Sequence, residues 1–129
     1  MDFSILIVDD ESSCLAVVSE FFVARGFAVT TAQEFEEAEA LVIKVSYSLV
    51  IVDLSLTKLN ADEGLRLIDL IRERSPRTRI ILLSGRISTE VREEALKRGA
   101  NAVLCKPQRL DSIGALAQQL LEVSDGLCV

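Results

Sequence analysis

A chain of 129 residues, 50% apolar and 26% charged, has the size of one compact domain and ample material for a core, with no compositional sign of disorder or a coiled coil. Fourteen basic against twenty acidic residues leave a formal charge of −6, a field that repels phosphate backbones and anionic lipid, so neither nucleic acid nor membrane is expected as a direct partner. The histidine count is zero, which excludes imidazole zinc sites, Ser-His-Asp and Cys-His nucleophiles, and a phosphohistidine on this chain. Three cysteines, Cys14, Cys105 and Cys128, lack C-x-x-C spacing. No signal peptide precedes the first strand, and charges interrupt every apolar run short of a membrane span. A soluble, cytoplasmic protein with reduced thiols is expected.

Ser4 to Val8 is a near-continuous β-branched run closed by Asp9-Asp10, as in a strand buried on both faces. From Glu11 to Arg25 the apolar residues Leu15, Val18, Phe22 and Val23 recur at helical spacing, and Gly26 is a stop. The unit then repeats: strand Phe27 to Thr31, helix Glu34 to about Val45, strand Tyr47 to Val52 ending at Asp53. After a polar loop, a helix runs from Gly64 to Arg74, a strand from Arg79 to Leu83, a helix from Ser88 to Arg98, a strand from Ala102 to Cys105, and a last helix from Leu110 to about Val123. Residues 124–129 read as a flexible tail.

Five strands alternating with five helices, with apolar runs in the central strands, predict an α/β domain: a doubly wound parallel sheet covered on both faces. Ligands of such sheets bind beyond the carboxyl ends of the strands, where strand order reverses. Those ends carry Asp9-Asp10, Asp53, Ser84 and Lys106-Pro107, while the second strand ends in Thr30-Thr31, as suits an edge strand in the order 2-1-3-4-5. Three carboxylates converging there repel one another, and a hard divalent cation such as Mg²⁺ would neutralise them. With Lys106 as a mobile cation and Ser84 as a hydroxyl donor, the set has what phosphoryl transfer needs. Asp53, the acid on the central strand, is then the acceptor.

These residues resemble the receiver domain of bacterial two-component response regulators, over essentially the whole chain from Ile5 to about Leu121. The separations of 43, 31 and 22 residues between Asp10, Asp53, Ser84 and Lys106 are close to the family's. The resemblance implies a flavodoxin-like three-layer sandwich and makes residues 1–129 a single receiver domain, with no output domain in this chain. It also implies that Asp9-Asp10 is the acidic pair holding Mg²⁺, that Asp53 is the phosphoacceptor and a metal ligand, and that the backbone carbonyl of Ser55 completes the protein's ligands. Ser84 becomes the hydroxyl residue that follows the phosphoryl group, and Lys106-Pro107 the lysine with its cis proline.

The chain departs from the family pattern in places. Thr57 replaces a common proline, and the first glycine after Asp53 is Gly64, so the loop is about three residues longer. Val103 stands where the family places a switch aromatic, and Gln108 replaces an aromatic after Lys-Pro. Arg86 and Ser55 occupy positions that tune dephosphorylation.

Plainer readings stand beside these. Asp9 and Asp10 are also suited to cap the helix that begins near Glu11, and Ser84 to open the Ser84-Gly85 turn. Glu34, Glu36, Glu37 and Glu39 read as a solvated face, and Cys14 and Cys105 as core thiols.

The expected function is that of a receiver in a phosphorelay. It takes a phosphoryl group from a histidine kinase or histidine phosphotransfer protein and signals by a population shift on the face around Val91, Ala95, Val103 and Gln108 to a downstream protein or an output domain. It would be a signalling phosphoacceptor with self-catalysed transfer and slow autodephosphorylation, not an enzyme by role, acting as a monomer or a phosphorylation-dependent dimer. The alternatives are a pseudo-receiver that signals through protein contacts alone and an aspartate-nucleophile phosphohydrolase, which Ser55 disfavours because that class needs a second Asp there.

Overall fold

The computed structural model describes residues 3–54, 61–85 and 87–126. Its elements alternate without exception: β1 (Ser4–Asp9), α1 (Ser12–Ala24), β2 (Ala28–Ala32), α2 (Phe35–Lys44), β3 (Leu49–Leu54), α3 (Ala61–Arg74), β4 (Arg79–Ser84), α4 (Thr89–Arg98), β5 (Ala102–Cys105) and α5 (Leu110–Gly126). All strand pairs are parallel and the order is β2-β1-β3-β4-β5, as expected.

The continuous apolar runs have a simple cause. Successive side chains of a strand face opposite sides, and here both sides are covered. Ile5, Ile7, Leu49, Ile51, Ile81 and Leu83 pack beneath Leu15 and Phe22 of α1 and Ile113 and Ala117 of α5. The alternate residues Leu6, Val8, Val50, Val52, Ile80 and Leu82 pack on the other face against α2, α3 and α4, through Val42, Ile68, Ile71 and Ala95 among others. Each fully buried Ile or Leu stabilises by roughly 1.5–3 kcal/mol, so these two layers dominate the fold. β2, at the edge, is half exposed and carries Thr30 and Thr31.

Boundaries differ from expectation at informative places. β1, β3 and β4 each run one or two residues further, so that Asp9, Asp53 and Ser84 belong to the sheet ladder and inherit its rigidity. α3 begins at Ala61, three residues before Gly64, with Asp62 and Glu63 in its first turn complementing the positive end of the helix dipole. α5 keeps helical backbone to Gly126, covering part of the stretch expected as a tail, while 127–129, with Cys128, lie outside the described residues. The two remaining thiols are not core residues: Cys105 is exposed at the end of the short β5, where the strand leaves the sheet, and Cys14 is half-buried on the first turn of α1. Among the described residues no helix is long and apolar enough to cross a membrane.

Candidate functional site

Asp9 and Asp53 are direct partners in the parallel register of β1 and β3, and both are buried, at 3% and 7% exposure. Adjacent strands lie about 4.8 Å apart, so the two carboxylates leave the sheet side by side. Ser84, also buried, ends β4 opposite Leu54 on one side and Cys105 on the other. Lys106 follows β5 and is tied back to it: its backbone N–H donates to the Ser84 carbonyl at 2.8 Å. Its Nζ stands 2.6 Å from Asp53 Oδ1. The Lys106-Pro107 peptide is cis, as the resemblance implied.

The Asp9 carboxylate is aimed by the start of α1, where Oδ1 accepts the Glu11 N–H at 3.0 Å. Asp9 therefore does not cap α1, whose N-cap position is Glu11: its oxygen takes the N–H two residues on, a local bond ahead of the helix, while the residue still borders Asp53. No side chain at Glu11, the residue before α1, caps that helix. Asp10 is half-buried at the next position.

Burial dominates the electrostatics. It lifts the Asp53 carboxyl to about 7, with Asp9's charge adding to the rise and the Lys106 ammonium opposing it. Burial likewise raises Asp9, against the Glu11 N–H and Lys106. For Lys106 burial acts downward, but the hydrogen bond and charge of Asp53, with Asp9 behind them, outweigh it and hold the ammonium above its ordinary value. Among the described residues, two acids and one cation thus leave an excess of negative character at the site.

The donor set fits a hard cation as part of a shell. Among the described residues no three His, Cys, Asp or Glu side chains gather closely enough to hold a metal by themselves. Mg²⁺, which keeps several waters and needs only one or two carboxylates, suits the Asp9 and Asp53 pair with Asp10 beside it. The Ser55 carbonyl, Thr57 and Arg86 lie outside the described residues.

Sequence reasoning missed Cys14 as a neighbour of the site. Its Sγ contacts Glu11 Oε2 at 3.4 Å, and that hydrogen bond, followed by burial, raises the thiol above its usual range, so Cys14 is a poor nucleophile. The signal lay in its place one turn after Asp10. On the α4–β5 side, Val103 and Ala95 are buried in the core and Val91 is half-buried, so of the four residues expected on the responsive face only Gln108 is exposed, its Nε2 donating to the Cys105 carbonyl at 2.7 Å.

Comparison with known proteins agrees with this fold. The family model described as the response regulator receiver domain matches residues 5–118. A nitrogen assimilation regulatory protein, NtrX, of Azorhizobium caulinodans is 30% identical over 95% of this chain, which spans 27% of that protein's length. A receiver domain protein from Methanospirillum hungatei superposes with a TM-score of 0.90 at 23% identity, covering 98% of both chains, a likeness of fold. A response regulator from Burkholderia pseudomallei, solved with a phosphorylated aspartic acid, calcium ion and citrate, gives a TM-score of 0.81 at 30% identity over 97% of this chain and 72% of its own.

Proposed function

This chain belongs to the response regulator receiver family, and we propose that it accepts a phosphoryl group on Asp53 from the phosphohistidine of a kinase or a phosphotransfer protein. The observation that carries the reading is the buried Asp53 carboxyl at the end of β3, in register with Asp9 and 2.6 Å from Lys106 Nζ. An oxygen of Asp53 attacks phosphorus, the bond to the donor's imidazole nitrogen breaks, and the imidazole leaves. Lys106 then shifts its pairing from the carboxylate to the new phosphoryl oxygens, and the Ser84 hydroxyl donates to another. Asp9, Asp10, Asp53 and the Ser55 carbonyl would hold Mg²⁺, which when bound supplies positive charge against the phosphoryl oxygens.

The output follows from the bond between Lys106 N–H and the Ser84 carbonyl, 2.8 Å long, which couples the ends of β4 and β5. A phosphoryl group that moves Ser84 moves the β5–α5 connection with it and biases the exposed surface around Gln108 and Leu96. Because Val103 is buried, this coupling runs through backbone rather than through an aromatic ring that turns inward.

Incubation with Mg²⁺ and acetyl phosphate, followed by intact-mass measurement, tests the proposal. The wild type should gain a species about 80 Da heavier, and Asp53→Ala should not. A wild type that stays unlabelled, or a label that survives Asp53→Ala, overturns it.

A further inference from the structure

The amino end of the sheet, opposite the Asp53 pocket, holds a second cleft, lined by apolar surface as well as by hydroxyls and two arginines. It encloses about 370 Å³, within the usual range of small-molecule sites, between the segment leading into β3 and the turn joining α3 to β4. Its polar lining is Ser46, Ser48, Ser75, Thr78, Arg77 and Arg79. Among the described residues none that lines it is acidic, and neither Arg77 nor Arg79 takes part in an ion pair, whereas Arg98 and Arg109 both find carboxylates. In a chain of formal charge −6 that is a notable local exception.

Arg79 lines the cleft, and its Nε is buried with no partner among the described residues, an unmet donor that costs stability. Its charge is felt next door, where burial first and then Arg79 hold the Arg72 guanidinium below its usual range. The hydroxyls are already ordered. Thr78 donates to the Tyr47 carbonyl at 2.6 Å, Ser75 lies 2.8 Å from Thr78 and 3.1 Å from Ser46, and Ser48 Oγ accepts the Ser4 N–H at 3.2 Å, leaving the Ser48 hydrogen to turn toward a ligand. Phe3 and Leu121 add an apolar wall.

We infer that this cleft binds a small phosphorylated molecule, its phosphate taken by Arg77 and Arg79 with the Ser48 hydroxyl and its carbon part resting on Phe3 and Leu121. Forked guanidiniums and a hydroxyl match an anion of three terminal oxygens better than a point charge would. The site lies at the other end of the strands from Asp53, so both can be filled together.

Amide NMR titration tests this on the intact chain in EDTA, with inorganic phosphate and glycerol 3-phosphate as probes and sodium chloride matched for ionic strength. Saturable shifts at 46–48 and 75–79, absent around Asp9 and Asp53, are expected, with glycerol 3-phosphate the tighter probe. Arg77→Gln and Arg79→Gln should each weaken binding about tenfold or more, as loss of a charge-assisted hydrogen bond does. If Arg79→Gln fails to fold, the exposed Arg77→Gln gives the same reading. Shifts that chloride reproduces, or affinities unchanged in Arg77→Gln, overturn the inference. So does binding to phosphatidylglycerol vesicles with none of either soluble phosphate.

Discussion

Lys106 Nζ and Asp53 Oδ1 meet at 2.6 Å across the carboxyl ends of β5 and β3, with β4 lying between the two strands. The lysine reaches over a whole strand to the one buried acid that faces a second buried acid, Asp9. That reach balances charge at Asp53, and under the proposed function it leaves the cation in place for the oxygens that arrive on transfer.

Lys106→Ala should therefore slow labelling by acetyl phosphate by about a hundredfold, the usual consequence of removing one preorganised charge partner from developing negative charge. The rate of appearance of the heavier species, at fixed Mg²⁺, is the measurement. Lys106 keeps 36% of its side chain in water, so the variant should fold normally, and an unchanged rate would remove it from the site.

Asp53 should make metal-free stability fall with rising pH. A carboxyl whose folded pKa, about 7, exceeds the unfolded value near 3.9 holds its proton more tightly in the fold, so its contribution is present below about pH 4 and is lost as pH rises through 7. Asp53→Asn abolishes the titration. In EDTA at pH 8 it should be more stable than wild type by roughly 2 kcal/mol, about half of what a shift of some three units would carry at full strength, the partly solvated Lys106 taking up the rest. At pH 4 the gap should nearly close, and at pH 8 added Mg²⁺ should stabilise wild type alone. Thermal melts of the two proteins at both pH values check this, and a variant less stable than wild type at pH 8 contradicts it.

Why the fold was legible is visible in β1 and β3. Runs such as Ile5 to Val8 and Leu49 to Val52 have no period-two alternation, and only a sheet covered on both faces buries them all. The polar residues that end those runs were legible as a candidate site because several of them fall at strand ends on one edge of the sheet, more than capping or a turn at each needs. What was not legible depends on neighbours distant in sequence. Cys105 is exposed at the end of β5 despite its apolar run, and the cleft around Arg79 depends on Ser46 and Ser75 meeting 29 residues apart, a contact no local pattern records.

Arg72 should be the most sensitive surface-side residue of the α3–α4 junction. Its guanidinium donates to the Gly99 carbonyl at 2.8 and 3.1 Å, to Asn101 Oδ1 at 3.0 Å and to the Thr78 carbonyl, closing the end of α4 onto α3. Gly99 makes room for it at φ +124°, where a Cβ would stand 2.6 Å from Arg72 Nε. Arg72→Ala strands several acceptors and should lower stability by about 2–3 kcal/mol. Gly99→Ala combines a strained backbone with that clash and should cost at least as much. Denaturant melts would settle both, and a loss of under about half a kcal/mol in either contradicts the account.

Val103 should tolerate neither a larger nor a smaller side chain. It is 3% exposed in the buried cluster that holds Leu82, Ala95 and Ala100, with Ile87 packed against that cluster. Val103→Ala leaves a cavity and should destabilise by roughly 1–2 kcal/mol. Val103→Tyr, which restores the family's aromatic, overfills the layer and should destabilise by about 1–3 kcal/mol. A loss in both directions marks a filled site, and it separates packing from switching: neither change touches Asp53 or Lys106, so acetyl phosphate labelling should stay near the wild-type rate. If Val103→Tyr instead melts at the wild-type temperature, the ring has found space at the surface. The face between α4 and α5 then has room for an aromatic switch, and the backbone route from Ser84 to Lys106 loses its main support.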